Sequence, residues 1–153
     1  MFAKVVKYCC VAAACVGIVA QAAAQGVTVI QGSGVSSRIN GYQFAGYGQQ
    51  RIGQMDVSHT TLTTLLSLAP GPGNTLLGQT THTFDFGSLG SITTMDDLRL
   101  TPVNGAGLYQ LSTRAVIVSG TGNFAGATGR MSFNGFANLA TGQVTWMGHG
   151  QIR

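Results

Sequence analysis

The stretch Ser119-Gly-Thr-Gly-Asn-Phe-Ala-Gly-Ala-Thr-Gly129 decides the fold. It joins the β-prone run 114–119 to a second alternating run, 130–137. Glycine supplies positive φ angles and allows close backbone approach, and Phe124, the single large apolar side chain here, can turn back into a core between two strands. We therefore predict a structural signature, with no chemical role, formed by Gly120, Gly122, Phe124, Gly126 and Gly129.

The flanking segments alternate with the period of β-strands. Residues 79–86 place Thr80, His82, Phe84 and Phe86 on one face, and residues 91–101 place Asp96 on the same face as Ile92, Leu98 and Leu100. In 143–152, Trp146 is in phase with Val144 and Ile152. Large apolar side chains turn inward, and side chains two residues apart share a face. The predicted ligand-binding residues inside the barrel are His82, Phe84, Phe86, Asp96 and Trp146.

Two of these five residues, His82 and Asp96, are polar, and each has two competing interpretations. His82 is either a ligand contact or a core histidine with a hydrogen-bond partner. Asp96 on an apolar face is costly unless it is paired, and Arg114 or a backbone amide could satisfy it.

The remaining segments indicate further strands and breaks. Residues 53–66 alternate until the phase is lost near Leu62, Leu65 and Leu66, which predicts a bulge or a strand end. A loop is expected at 70–74, and residues 25–50 are interpreted as one strand followed by a loop. The aromatic residues of that loop either line a ligand mouth or cover one barrel end; they are Tyr42, Phe44 and Tyr47.

Composition favours an all-β domain. The chain has 23 glycines in 153 residues, about twice the usual share of roughly 7 %. After residue 24 it contains no lysine and no glutamate, both of which favour helices. Strands recurring every 10 to 15 residues suit an antiparallel meander, closed as a barrel or folded as a sandwich.

Residues 1–24 have the features of a secretory signal peptide. Lys4 and Lys7 precede a short apolar run, and small residues follow up to Ala24. The run is shorter than the roughly 20 residues of a membrane span, so we expect cleavage near Ala24, no stable span in the mature chain, and a secreted or periplasmic protein. The predicted domain is 25–153. In a competing interpretation, Cys15 is a lipid-modified N-terminus.

Charge and motifs exclude several functions. The domain carries six arginines and four aspartates, and the arginines are scattered singly, so nucleic-acid binding is not expected. Neither a dinucleotide fingerprint nor a G-x-S-x-G elbow is present. His59, His82 and His149 lie far apart in sequence, so no metal site is predicted. No catalytic residue and no cofactor is assigned.

The segment 120–129 resembles the Gly-Thr-Gly-x-Phe-x-Gly-Ala-x-Gly stretch of the allene oxide cyclase and dirigent barrels, which also occurs in bacterial exported proteins. The resemblance implies a calycin-like, eight-stranded antiparallel barrel with an apolar interior, and a homo-oligomer, since plant members are often trimers. The cyclases use a glutamate, which the domain lacks. Dirigent proteins use aspartate and arginine, for which the residues of the right type are Asp56, Asp96, Arg99 and Arg114.

Three functional classes follow. The first is a non-catalytic exported barrel that binds a small apolar or aromatic molecule, which the apolar interior pattern favours. The second, an isomerase or a coupling guide, is implied by the resemblance alone. The third is a structural or interaction protein that uses the barrel exterior.

Overall fold

Eight antiparallel strands close into a barrel in the computed structural model, which describes residues 26–103 and 105–153. The strands are β1 Thr28–Arg38, β2 Gln43–Ile52, β3 Met55–Pro70, β4 Leu76–Asp85, β5 Ser91–Pro102, β6 Leu108–Gly120, β7 Gly129–Asn138 and β8 Gln143–Ile152. Three single 3-10 turns lie between strands, at Pro72–Asn74, Gly87–Leu89 and Gly122–Phe124. The predicted signal peptide, residues 1–24, lies outside the described residues.

The topology is a meander in which each strand pairs with its neighbours in the chain. Pairing of β1 with β8, from Thr28 opposite Ile152 to Ser37 opposite Gln143, closes the sheet on itself. Closure removes both sheet edges, so every strand is paired on both sides. Of the two architectures that the strand spacing allowed, the barrel is confirmed.

Strand β2 is the element that the sequence pattern missed. Residues 43–52 pair with both β1 and β3, whereas the sequence interpretation places 43–50 in a loop. The reason is that glycines occupy inward positions of this strand, where an alternating pattern would show apolar side chains; these glycines are Gly46 and Gly48. The bulge predicted in β3 is confirmed, because the register against β4 shifts between Leu65 and Ser67.

The signature segment plugs one end of the barrel. Phe124 is 4 % exposed and packs against Phe86, with ring centroids 5.1 Å apart. Gly122 has a φ of 59° and Gly126 a φ of 75°, which other residues rarely adopt. A Cβ on Gly120 would collide with the carbonyl group of Phe124. These residues therefore shape this end of the barrel through backbone conformation and packing.

The two ends of the barrel, which we call the closed end and the mouth, carry different strand connections. The closed end carries the β2–β3, β4–β5 and β6–β7 connections, including Phe124, and the mouth carries the other connections. The core cluster that fills the closed end and the middle of the barrel comprises Ile30, Ile52, Phe84, Phe86, Ile92, Ala115, Ile117, Phe124, Met131, Phe133, Trp146 and Ile152. A smaller cluster near the mouth comprises Leu98, Leu100 and Ala137. The barrel is therefore filled unevenly along its axis.

Inward glycines on one side of the barrel make room for rings from the other strands. A Cβ on Gly34 would collide with the Trp146 ring, and one on Gly148 would collide with the Phe133 ring. A Cβ on Gly48 would lie 2.9 Å from the His59 ring, which is also too close. The three rings therefore press directly against the backbone of the barrel wall. Among the described residues, no helix has the length and apolar character needed to cross a membrane.

Candidate functional site

A cavity of about 90 Å³ lies inside the mouth half of the barrel. All eight strands contribute to its wall. The apolar part of the wall consists of Phe44, Leu65, Leu68, Leu98, Leu100, Leu111, Phe133, Ala137, Leu139, Val144 and Trp146. The polar part consists of Ser36, Thr63, Thr80, His82, Asp96 and Thr113. Threonine, serine and alanine are short, so these positions leave space that larger side chains would fill.

Half-buried side chains form the rim at the mouth. Phe44, Leu65 and Leu139 are each partly accessible to solvent. The guanidinium carbon of Arg38 lies 5.8 Å from the centroid of the Phe44 ring, and Arg38 Nη2 donates a hydrogen bond to the Leu139 carbonyl at 2.7 Å. The sequence left two roles for three aromatics, lining a ligand mouth or covering one barrel end. Phe44 lines the cavity, whereas Tyr42 and Tyr47 are exposed.

The cavity floor is aromatic. The His82 and Trp146 rings meet edge to face with centroids 6.0 Å apart, and Phe133 lies 5.7 Å from Trp146 and 5.8 Å from His82. Below this layer the Phe84 ring stacks on His82 at 4.1 Å. Phe84 is fully buried. The floor therefore rests on a solid aromatic layer.

Asp96 is a buried carboxyl group at the edge of the floor. It is 2 % exposed, and it accepts hydrogen bonds from Thr94 Oγ1 at 2.5 Å and Thr80 Oγ1 at 3.4 Å. Burial raises the pKa of Asp96 to about 6, although the two hydroxyl donors favour the charged form. The sequence left two partners open for Asp96, and register excludes one of them: Asp96 lies opposite Ala115, so Arg114 points outward and is exposed.

His82 is the polar residue nearest to this carboxyl group. Its Nδ1 lies 3.9 Å from Asp96 Oδ2, which is within ion-pair distance. Burial, with a smaller contribution from His59, lowers the pKa of His82 to about 3, so the imidazole is neutral at pH 7. The distance of 3.9 Å allows an ion pair, whereas the lowered pKa of His82 and the raised pKa of Asp96 both favour the neutral forms. We favour a neutral imidazole beside the carboxyl group, because burial penalises the charged form of each partner.

His59 is an interior residue that sequence reasoning missed. It is 4 % exposed, its ring lies 5.5 Å from Phe84 and 5.7 Å from Trp146, and neither ring nitrogen has a hydrogen-bond partner among the described residues. Burial lowers the pKa of His59 to about 4. The signal was present in the sequence, because His59 continues the alternation of Met55 and Val57.

The structure brings three of the five predicted binding residues to the cavity. His82, Asp96 and Trp146 line it, whereas Phe84 lies beneath the floor and Phe86 packs on the plug. Phe84 and Phe86 are both members of the packed core cluster and are not among the residues that line this cavity. The other three residues of the type that dirigent proteins use are exposed; they are Asp56, Arg99 and Arg114.

The three histidines do not converge. His149 is exposed on the barrel exterior, away from His59 and His82. Within the part of the chain that the structure describes, no group of three or more histidine, cysteine or acidic residues is arranged to hold a metal ion.

Comparison of the chain with protein-family models, with curated proteins and with solved structures finds no match.

Proposed function

We propose that the barrel binds a small, mainly apolar molecule in the mouth cavity and acts without catalysis. The observation that supports this proposal is the uneven filling of the interior: the closed end is packed, whereas the mouth half retains a cavity of about 90 Å³ with a largely apolar wall. Protein interiors are normally close-packed, so an unfilled apolar space that opens at the rim is a candidate site for a small molecule. An open rim gives such a molecule a route to the floor.

The polar residues fit recognition of such a molecule. Binding pockets are mostly apolar, with a few placed polar groups that fix orientation. Here Ser36 and Thr61 share a hydrogen bond of 3.3 Å, and Asp96 is held by two threonines, so much of the polar wall is already satisfied. The remaining surface favours a compact apolar body.

Titration with cyclopentane, a compact hydrocarbon, tests the proposal. Trp146 is the single tryptophan, lies at the floor and is 6 % exposed, so its fluorescence emission should be blue-shifted and should change on binding. The variant Ala137→Leu fills the cavity from β7 and should weaken binding at least about tenfold. The matched control is Val116→Leu, on the exposed outer face of β6, which should bind like the wild type. Equal affinity in both variants would contradict binding in the cavity.

A second candidate function is proton-transfer catalysis, such as an isomerisation. It is favoured by one observation, the raised pKa of about 6 for Asp96 beside an apolar cavity, since groups with shifted pKa values cluster at catalytic sites. The hydroxyl groups of Thr94 and Thr80 occupy both carboxyl oxygens, which favours a structural role instead. Turnover of a bound compound that Asp96→Asn abolishes, with binding retained, would establish the enzyme.

The family likeness and the cellular location belong to the same proposal. The signature segment supports membership among the allene oxide cyclase-like and dirigent-like barrels, and the N-terminal pattern supports export. Intact-mass measurement of the protein from its own source should give a chain that begins near Gln25. A retained Met1, or a lipid on Cys15, would contradict this processing.

A further inference from the structure

Four arginines form a line along the outer wall of the barrel, although they are scattered in the sequence. This arginine line lies on three consecutive strands and directly after a fourth: Arg99 on β5, Arg114 on β6, Arg130 on β7 and Arg153 just after β8. All four residues are exposed. The line begins near the mouth end of β5 and finishes at the closed end, where β8 ends, so it runs the length of one side of the barrel.

Strand register determines the spacing of the arginine line. Arg114 lies two residues beyond the β6 partner of Arg99, in the direction of the closed end. Arg130 lies two residues beyond the β7 partner of Arg114, and Arg153 two residues beyond the β8 partner of Arg130. Backbone hydrogen bonds between Arg153 and Thr128 extend the ladder past β8. Diagonal neighbours of this kind lie about 7–8 Å apart, so the line is a continuous row of basic groups.

The arginine line is not neutralised by the protein itself. Within the described part of the chain, none of its guanidinium groups makes an ion pair or a side-chain hydrogen bond. By contrast, Arg51 is paired with Asp56 at 2.8 Å, and Arg38 donates to a backbone carbonyl. One exposed carboxylate, Asp97, lies beside the line, opposite Arg114. The outer wall of β5–β8 thus carries four arginines against one exposed aspartate, whereas β1–β4 carry two of each.

Exposed aliphatic side chains lie beside the arginine line. Val116 is 49 % exposed and lies directly opposite Arg130, and Met95, which is 36 % exposed, lies opposite Val116. On the outer wall, Arg130 and Arg153 border a groove of about 820 Å³, to which Val116 and the 54 % exposed Val29 also contribute. Guanidinium groups bind phosphates bidentately, and apolar side chains gain free energy on leaving water. This wall therefore suits a partner that offers both phosphates and an apolar interface.

We propose that the arginine line docks the barrel side-on against a membrane surface that contains anionic phospholipids. Lipid phosphates accept hydrogen bonds from the arginines, and the neighbouring valines enter the interface between the headgroups. Each basic side chain near such a surface strengthens binding about fivefold. A soluble linear polyanion would use the same arginines but would gain nothing from the valines. The inference goes beyond the proposed function, because this wall lies outside the cavity.

Co-sedimentation with lipid vesicles tests the inference. The protein should bind phosphatidylcholine vesicles that contain phosphatidylglycerol, bind pure phosphatidylcholine far more weakly, and be released at about 0.5 M salt. The double variant Arg114→Gln with Arg130→Gln should lower the partition coefficient on the anionic vesicles about 25-fold. The matched control Arg38→Gln with Arg51→Gln removes the same charge from β1 and β2. It should stay within about threefold of the wild type.

The valine beside the line separates a membrane from a soluble polyanion. Val116→Ser should weaken binding to the anionic vesicles about threefold, because less apolar surface enters the interface, and should leave binding to dextran sulfate unchanged. A wild-type partition coefficient in Val116→Ser, or binding to dextran sulfate without binding to vesicles, would overturn the membrane as the partner.

Two further results would contradict docking through the arginine line. One is an unchanged partition coefficient in Arg114→Gln with Arg130→Gln, and the other is an equal fall in the matched control, which would show that only net charge matters. If the first double variant does not fold, Arg99→Gln with Arg153→Gln removes the two ends of the line and has the same expected fall. Cyclopentane binding should be unaffected by all these substitutions, so failure of this inference leaves the proposed function standing.

Discussion

The closed end and the mouth of the barrel are built on the same eight strands, yet one is solid and the other hollow. At the closed end the inward positions are large, as in Ile92 and Phe86, and Phe124 fills the axis. At the mouth several inward positions carry shorter side chains, such as Thr80 on β4 and Ala137 on β7. The difference shows that strand alternation determines which side chains point inward, whereas side-chain size at each level along the axis determines whether a binding space exists.

The largest expected effect comes from removing the plug. Phe124→Ala takes away a ring that is 4 % exposed and packed on Phe86, and should lower the free energy of unfolding by about 3–5 kcal/mol. The control Phe136→Ala removes a ring that is 51 % exposed on the outer face of β7 and should cost less than about 1 kcal/mol. Equilibrium denaturation measures both. A loss below about 1 kcal/mol for Phe124→Ala would mean that the closed end is not held by its plug.

Lowering the pH should change the free energy of unfolding through ionisable groups in the middle and the mouth of the barrel. The folded pKa values are about 4 for His59 and about 3 for His82, against 6.5 ordinarily, so the unfolded chain takes up these two protons first as the pH falls. Asp96 has the opposite sign, because its folded pKa of about 6 exceeds 3.8 and the folded state takes up its proton first. Between pH 6 and 4 the folded state thus binds about one proton fewer. Stability should fall on acidification, on the order of 1 kcal/mol per pH unit.

The variant Asp96→Asn tests the contribution of Asp96 to this pH dependence. The substitution removes a group that opposes acid destabilisation, so unfolding free energies measured between pH 6 and 4 should fall about twice as steeply as in the wild type. A dependence no steeper than that of the wild type would show that the pKa of Asp96 is not raised. Val116→Leu, which lies outside the barrel, should follow the wild-type dependence.

The smallest expected difference compares the two ends on one strand. Ile92 and Leu100 both lie on β5 and are both buried, but Ile92 is in the packed cluster and Leu100 lines the cavity. Truncation to alanine should cost about 1 kcal/mol more at Ile92, because Leu100 already has empty space on one side and loses fewer contacts. Urea denaturation of both variants measures the difference. Equal costs would mean that the mouth is as well packed as the closed end.

The sequence predicts the inward face of this barrel better than the depth of each residue. Alternation alone places His82, Asp96 and Trp146 inward, because side chains two apart in a strand share a face. It cannot tell that Phe84 lies under the floor, because the level of a residue depends on its register with neighbouring strands, such as Phe84 opposite Ile92.

Polar partners and glycine strands show the other limits. The bonds from Thr80 and Thr94 to Asp96 combine a neighbouring strand with a same-strand position, which the search for a charged partner overlooked. Strand β2 escaped notice because its inward glycines, Gly46 and Gly48, carry no apolar pattern. The reason for a glycine at such a position follows only from the three-dimensional structure, in which a Cβ on Gly48 would come too close to the His59 ring.

The seam between β1 and β8 also has a consequence for how the barrel forms. Seven of the eight strand pairings join neighbours in the chain and can form as local hairpins, whereas the seam joins segments more than 100 residues apart. Contacts between distant segments carry a larger loop-closure cost and tend to form late. Trp146 lies at this seam, packed against Gly34 of β1. The same indole that lines the cavity floor is therefore a built-in kinetic reporter of ring closure.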